Sequence, residues 1–181
     1  MKTRTSTLAG LLALATASAG FAATPWQAQL KEQLPMLGHR NWIVVADSAY
    51  PLQTAPGIET VYANADQIEV VKGVLDALGK TKHVKPTIYT DAEMKFVAEK
   101  NAPGMGAYCD SLMKVLAGQP VQVLPHEQII GKLDEAGKTF KVLIIKTPLI
   151  LPYTSVFFQL ECGYWNAASE KELRDAIPSS K

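Results

Sequence analysis

The chain has 181 residues, with 18 Lys and Arg against 17 Asp and Glu, a formal net charge of +1, and 48% hydrophobic side chains. A balance this close to neutral lacks the strong basic footprint that nucleic acid or an anionic membrane surface requires. The length and apolar content suit one domain with an ordinary buried core.

The N-terminus reads as a secretory signal. Lys2 and Arg4 form a basic start, Leu8 to Ala17 is apolar, and Gly20-Phe21-Ala22 sets small residues where a signal peptidase checks them. Cleavage is expected after Ala22, with Ala23 as the alternative. Residues 1–22 are then the signal peptide, 23–165 the domain and 166–181 a C-terminal tail. The apolar stretch is too short for a membrane span, and no later stretch approaches one. A periplasmic or secreted location follows. Losing Lys2 and Arg4 leaves 16 basic against 17 acidic side chains, so the ligand is expected to be small and neutral, or a protein.

Trp26, Leu30, Leu34 and Leu37 recur at helical spacing and predict a helix over Trp26 to Leu37, broken near Pro35 and stopped by Gly38. The β-branched run Trp42 to Ala46 is a strand, Pro51 to Gly57 a loop, and Glu59 to Tyr62 a short strand. Asp66 caps a helix to about Leu78, with Ile68, Val71, Val74, Leu75 and Leu78 on one face. Lys85 to Tyr89 is a strand. Asp91 is expected to cap a helix through Phe96 to about Glu99, broken by Asn101-Ala102-Pro103-Gly104. A helix over Ala107 to Leu116, a strand over Val121 to Leu124 and a short helix over Glu127 to Leu133 follow. Phe140 to Lys146 is a strand, Thr147 to Tyr153 an irregular apolar loop, and Ser155 to Leu160 the last strand. Ser169 to Ile177 is a short charged helix or tail. Strands alternating with helices predict an α/β domain with a mainly parallel sheet and helices on its faces.

The segment LGHRNWIVVADSAYP, Leu37 to Pro51, puts His39 ahead of the first strand and Asp47 just after it. The ends of such strands are where open α/β sheets bind ligands. His126 also lies at a turn beside a strand end, whereas His83, in the basic loop GKTKHVKP, reads as solvated. His39 and His126 each admit two readings, a site role or a structural one. Tyr153 is either a packing aromatic or a hydroxyl held above a pocket. There is no CxxC, GxSxG, P-loop or GxGxxG, so neither a metal nor a cofactor is signalled. Export permits a Cys109–Cys162 disulfide, with two unpaired thiols as the alternative.

Three segments together resemble the bacterial D-ribose pyranase and L-fucose mutarotase family. Leu37 to Pro51 is similar to the family's LGH, apolar strand, D-A-x-x-P signature, with His39, Asp47 and Pro51 at that spacing. VLPHEQI around His126 resembles the pyranase segment ending in T-H-E-Q-F, and Pro152-Tyr153 falls on the P-Y of P-Y-A-N. The resemblance covers about Leu30 to Leu160. It implies a three-layer, Rossmann-like sandwich in a single domain, a homo-oligomeric ring with sites near subunit interfaces, and a small neutral monosaccharide as ligand without cofactor or metal. It also implies His39 as the catalytic acid/base, with Asp47, His126, Tyr153 and Ser155 binding the sugar.

Departures accompany the match. Ser155 stands where the family has asparagine, Pro148-Leu149 replaces Gly-Glu, Asn41 replaces a frequent acidic residue, and about five residues are added around Leu133 to Lys141. Three functions are therefore weighed: a mutarotase or pyranase that interconverts ring forms or anomers of an aldose; a catalytically silent sugar-binding or assembly protein on the same fold; and a structural oligomer in which His39 and His126 act as caps. N-terminal sequencing of the exported protein is expected to begin at Ala23, or at Thr24 for the alternative cleavage. An exported protein still beginning at Met1 would remove the signal-peptide reading.

Overall fold

The computed structural model describes residues 25–178. The signal peptide expected at 1–22 lies outside the described residues. The chain runs α1 (Pro25–Gln33), a 3₁₀ turn (Leu34–Met36), β1 (Trp42–Ala46), β2 (Ile58–Tyr62), α2 (Gln67–Gly79), β3 (Val84–Asp91), a 3₁₀ turn (Met94–Phe96), α3 (Met105–Val115), β4 (Val121–Leu124), α4 (His126–Gly137), β5 (Val142–Lys146), β6 (Val156–Cys162) and α5 (Ala167–Ala176). Among the described residues no helix is long and apolar enough to cross a membrane.

The six strands form one sheet in the order β2-β5-β1-β6-β3-β4. β1 pairs in parallel with β5, and β5 with β2; β3 pairs in parallel with β4. β6 runs antiparallel to both β1 and β3. Five strands thus point one way and β6 alone points back. This is the mainly parallel α/β sheet expected from the alternation of elements.

Strand side chains alternate between the two faces, and both faces are covered. Ile43, Val45, Leu143, Ile145, Phe158 and Leu160 pack under α1, α2 and α3. Trp42, Val44, Ala46, Ile144 and Phe157 pack under Ile129, Leu133 and Ala136 of α4. Every residue of β1 is buried, as a central strand covered on both faces requires. Each such side chain contributes about 1.5–3 kcal/mol by leaving water. Trp26 and Leu30 on α1 and Leu34 at the start of the 3₁₀ turn form the buried stripe that their spacing predicts, and Leu37 extends it. Trp26 packs against Gly73 of α2, where a Cβ would stand 2.6 Å from the ring.

The helix expected from Asp91 to Glu99 is replaced by an extension of β3. Pairing with β6 on one side and β4 on the other carries the strand to Asp91, which lies opposite Leu124. A residue whose backbone belongs to a ladder on β3 is not free to cap a helix. Glu99 instead caps α3, accepting from the backbone of Gly104 at 2.6 Å and Gly106 at 3.0 Å. His83 is also not simply solvated: its Nε2 lies 3.2 Å from the carbonyl of Leu34 and 3.1 Å from that of Leu37, pinning the end of the first helical segment. Cys109 and Cys162 are both free thiols.

One buried polar cluster ties the layers together. Gln67, 1% exposed, donates from its amide to the Tyr108 hydroxyl at 2.9 Å and the Thr154 carbonyl at 2.6 Å. Its Oε1 accepts from the Thr147 hydroxyl at 2.7 Å, and that hydroxyl is 3.1 Å from the Ala46 carbonyl. Tyr108 also donates to the Thr154 carbonyl at 2.7 Å. Gln67→Leu is expected to lower stability by roughly 2–3 kcal/mol, because it strands buried partners. Urea unfolding checks this; a loss well under about 1 kcal/mol would mean that the cluster reorganises freely.

Candidate functional site

The five co-directional strands end on one edge of the sheet, at Ala46, Tyr62, Asp91, Leu124 and Lys146, and β6 begins there at Val156. The loops at this edge carry Asp47, His126, Tyr153 and Ser155. Register brings them close. Val156 lies opposite both Val45 and Thr90, so Ser155 continues between the ends of β1 and β3.

Asp47 follows β1 and is locked on both oxygens. Its Oδ1 accepts from the Ala49 backbone at 2.9 Å, closing a local turn, and its Oδ2 accepts from the Ser155 hydroxyl at 3.0 Å. Ser155 is buried at 2% exposure. Two residues earlier, Tyr153 takes a left-handed backbone conformation with φ of 57°, which is costly for a non-glycine residue. That twist turns its ring edge-on to the His126 imidazole, with centroids 5.5 Å apart and planes at 83°.

His126 is the first residue of α4. Its backbone N–H donates to both carboxylate oxygens of Glu93, at 3.1 and 3.0 Å. A carboxylate at a helix N-terminus is favoured by the free N–H groups and the dipole there. The ring Nδ1 lies 3.1 Å from Oδ2 of Asp91. The Asp91 side chain is fully buried while that of His126 is 30% exposed. Among the described residues, Asp91 Oδ1 is buried without a hydrogen-bond partner. Burial raises the Asp91 carboxyl to about 6; His126 pulls it down, and Glu93 and Asp47 push it up. Burial, helped by Asp134, Asp91 and Asp47, also pushes the Tyr50 hydroxyl well above its ordinary value, so Tyr50 stays protonated.

His39 stands apart. It lies ahead of β1 at the opposite edge, separated from Asp47 by the length of the strand, roughly 15 Å. Its Nε2 pairs with Glu161 at 2.9 Å on an exposed surface. It borders a cleft of about 690 Å³ with Arg40, Trp42, Gln128, Lys132 and Gln159. Beside it, Asn41 accepts from the Gly38 backbone at 2.7 Å and donates to the Lys141 carbonyl at 3.1 Å. An acidic side chain at 41 could make only the first of these bonds. Within one chain, the structure gathers Asp47, His126, Tyr153 and Ser155 and leaves His39 out.

Asp91 and Glu93 are the site residues that sequence reading missed. The available signal was the β-prone run Val84 to Thr90, which continues past Tyr89 and carries Asp91 to the strand end. Among the described residues no group of three or more His, Cys, Asp or Glu side chains is arranged to hold a metal ion. The edge offers the imidazole of His126, the three carboxylates of Asp47, Asp91 and Glu93, the phenolic hydroxyl of Tyr153 and the aliphatic hydroxyl of Ser155. Such a set can hydrogen-bond a polyhydroxylated ligand and give or take a proton.

No family model matches the chain, and no curated protein matches it in sequence. Solved structures do match in fold. RbsD from Bacillus subtilis, complexed with D-ribose, is 22% identical with a TM-score of 0.50, the match covering 74% of this chain and 92% of that one. FucU from Bifidobacterium longum is 15% identical with a TM-score of 0.50, over 74% of this chain and 92% of that one. The fucose mutarotase from Streptococcus pneumoniae, in complex with L-fucose, is 17% identical with a TM-score of 0.50, over 76% of this chain and 92% of that one. At these identities the relationship is one of fold.

The buried carboxyl gives the site a pH signature. In the unfolded chain Asp91 titrates near its ordinary value, about 4, and in the folded chain at about 6. Between these values the folded state holds more protons, so the Asp91 contribution to stability falls as pH rises through that window and is level above it. Relative to Asp91→Asn, the wild type is expected to lose about 2 kcal/mol between pH of about 4 and about 7. Urea unfolding of both proteins at the two pH values measures it; parallel curves would show that Asp91 is not held up by burial.

Proposed function

We propose that the protein is an exported monosaccharide mutarotase or pyranase, interconverting anomers or ring forms of an aldose without cofactor. The observation that carries this is the convergence of His126, Asp47, Tyr153 and Ser155 on the carboxyl edge of a sheet whose fold is shared with a ribose-bound and a fucose-bound protein. Fold likeness alone does not fix function, so the weight rests on the site.

The chemistry needed is modest. A base takes the proton from the anomeric hydroxyl, the C1–O1 bond becomes a carbonyl as the bond from C1 to the ring oxygen breaks, and the ring oxygen takes a proton from an acid or water. Closure on the other face of the carbonyl reverses the steps. One histidine acting as general acid and base supplies about 10²–10⁴ of rate. His126 is the histidine that stands in the group, and we assign it that role. Asp47 accepts from sugar hydroxyls, and the Ser155 hydroxyl holds Asp47 in place. Tyr153 forms one wall and offers its hydroxyl. His39 reaches such a site only from a second copy of the chain. The exposed side chains of Leu52, Ile150 and Tyr153 give the site edge an apolar rim suited to contact between copies.

The same apolar rim also favours the second reading, a silent sugar-binding or assembly protein. Anomer exchange by NMR on the mature protein, with ribose, fucose and other aldoses, separates them. Faster exchange that drops about 10²–10⁴ in His126→Ala is expected. Loss in His39→Ala instead would place the acid/base on a neighbouring copy, and sedimentation of the same sample would then have to show an oligomer. Saturable sugar binding with no exchange would leave the silent reading.

A further inference from the structure

We infer that Asp91 is a positioning residue that fixes the tautomer of His126, holding its proton on Nδ1 and presenting Nε2 to the ligand as a proton acceptor. The inference deepens the mutarotase reading and rests on it for the use to which Nε2 is put.

The geometry is directional. Asp91 Oδ2 lies 3.1 Å from Nδ1. An ionised carboxylate accepts only, so the proton between them belongs to the imidazole. Nδ1–H is thereby committed to Asp91, and in the neutral ring Nε2 carries the lone pair. The imidazole cannot swing away easily. Its backbone N–H is fixed on Glu93, and the edge of the ring meets Tyr153. The other ionisable side chains beside this pair are the carboxylates of Asp47 and Glu93 and the hydroxyls of Tyr50 and Tyr153.

Asp91 itself is built for one partner. Its side chain is fully buried, and Oδ1 has no hydrogen-bond partner among the described residues. A buried carboxylate with one oxygen unpaired is poorly stabilised. The gain on meeting a positive imidazolium is correspondingly large, because the local dielectric is low. When His126 takes a proton at Nε2 from a ligand hydroxyl, the new charge appears 3.1 Å from a carboxylate that lacks compensation. The pair is therefore arranged to stabilise the protonated state that a base must pass through. This is the division of labour seen wherever a buried carboxylate orients a histidine.

The test needs no sugar. Ring ¹⁵N spectra of His126 across a pH titration report its tautomer and its proton affinity. Wild-type His126 is expected as the Nδ1–H tautomer when neutral. Asp91→Asn is expected to lower its proton affinity about tenfold and to admit the Nε2–H form. Glu93→Gln, which touches only the backbone cap, is expected to leave the tautomer as it is. An Nε2–H tautomer in the wild type would overturn the inference. So would identical titrations of wild type and Asp91→Asn. If Asp91→Asn fails to fold, the wild-type tautomer alone still decides. Should the protein turn over an aldose, Asp91→Asn is expected to cut kcat at least tenfold with KM little changed. Absence of turnover with the Nδ1–H tautomer present would defeat the functional reading and leave the role of Asp91 standing.

Discussion

An amide taken out of water has to find its partners inside the protein, and the one on Gln67 finds them on three different elements. It reaches Tyr108 on α3, the Thr154 carbonyl before β6 and the Thr147 hydroxyl after β5. Unsatisfied, each of these groups would cost about 1–3 kcal/mol. The nine-residue connection from Thr147 to Ser155 is thereby held at its two ends. Its middle, Ile150, is free to project into solvent. The strain of Tyr153 is tolerable for the same reason. A left-handed non-glycine residue costs about 1–3 kcal/mol and persists only where its surroundings insist on it. Here the insistence comes from Thr154 on one side and from Ser155, bonded to Asp47, directly beyond.

The sheet contributes through register. Because β6 inserts between β1 and β3, the residue before it falls between two strand ends that are not adjacent to each other. Asp47, just after β1, and Asp91, at the end of β3, are thereby brought to the two sides of the start of β6 although they lie far apart in sequence. The short β4 then sets its own end beside Asp91, and α4 starts two residues later at His126. Helix, carboxylate and imidazole are thus placed by backbone pairing before any side chain is considered.

Much of this was legible from the residues. The run Trp42 to Ala46 declared itself as a strand by its β-branched content, and the stripe Trp26, Leu30, Leu34 by its spacing. Both signals are local, and burial on the expected faces follows from them. Asp66 capped its helix as read, accepting from Ile68 at 2.9 Å. Asp91 was misread because an aspartate before a polar stretch looks the same whether it caps a helix or ends a strand. The difference lies in β4 and β6, whose pairing with β3 is a long-range fact. His39 and Asp47 share one recognisable segment, yet a five-residue strand sends them to opposite edges of the domain. Spacing within a motif carries no information about which edge each residue faces unless the strand between them is counted.

The lone reversed strand has a consequence for the rest of the chain. Since β6 starts at the site edge, it must finish at the other one, and everything after Cys162 departs from there. Glu161 meets His39 at that far edge, and α5 beyond it has no buried residue. The C-terminal segment is therefore kept from the edge of Asp47 and His126 by the length of the sheet. A tag, a tether to a surface or a natural extension placed there stays clear of the edge that carries Asp47 and His126, and sequence drift in the last helix is answerable to solubility rather than to those residues.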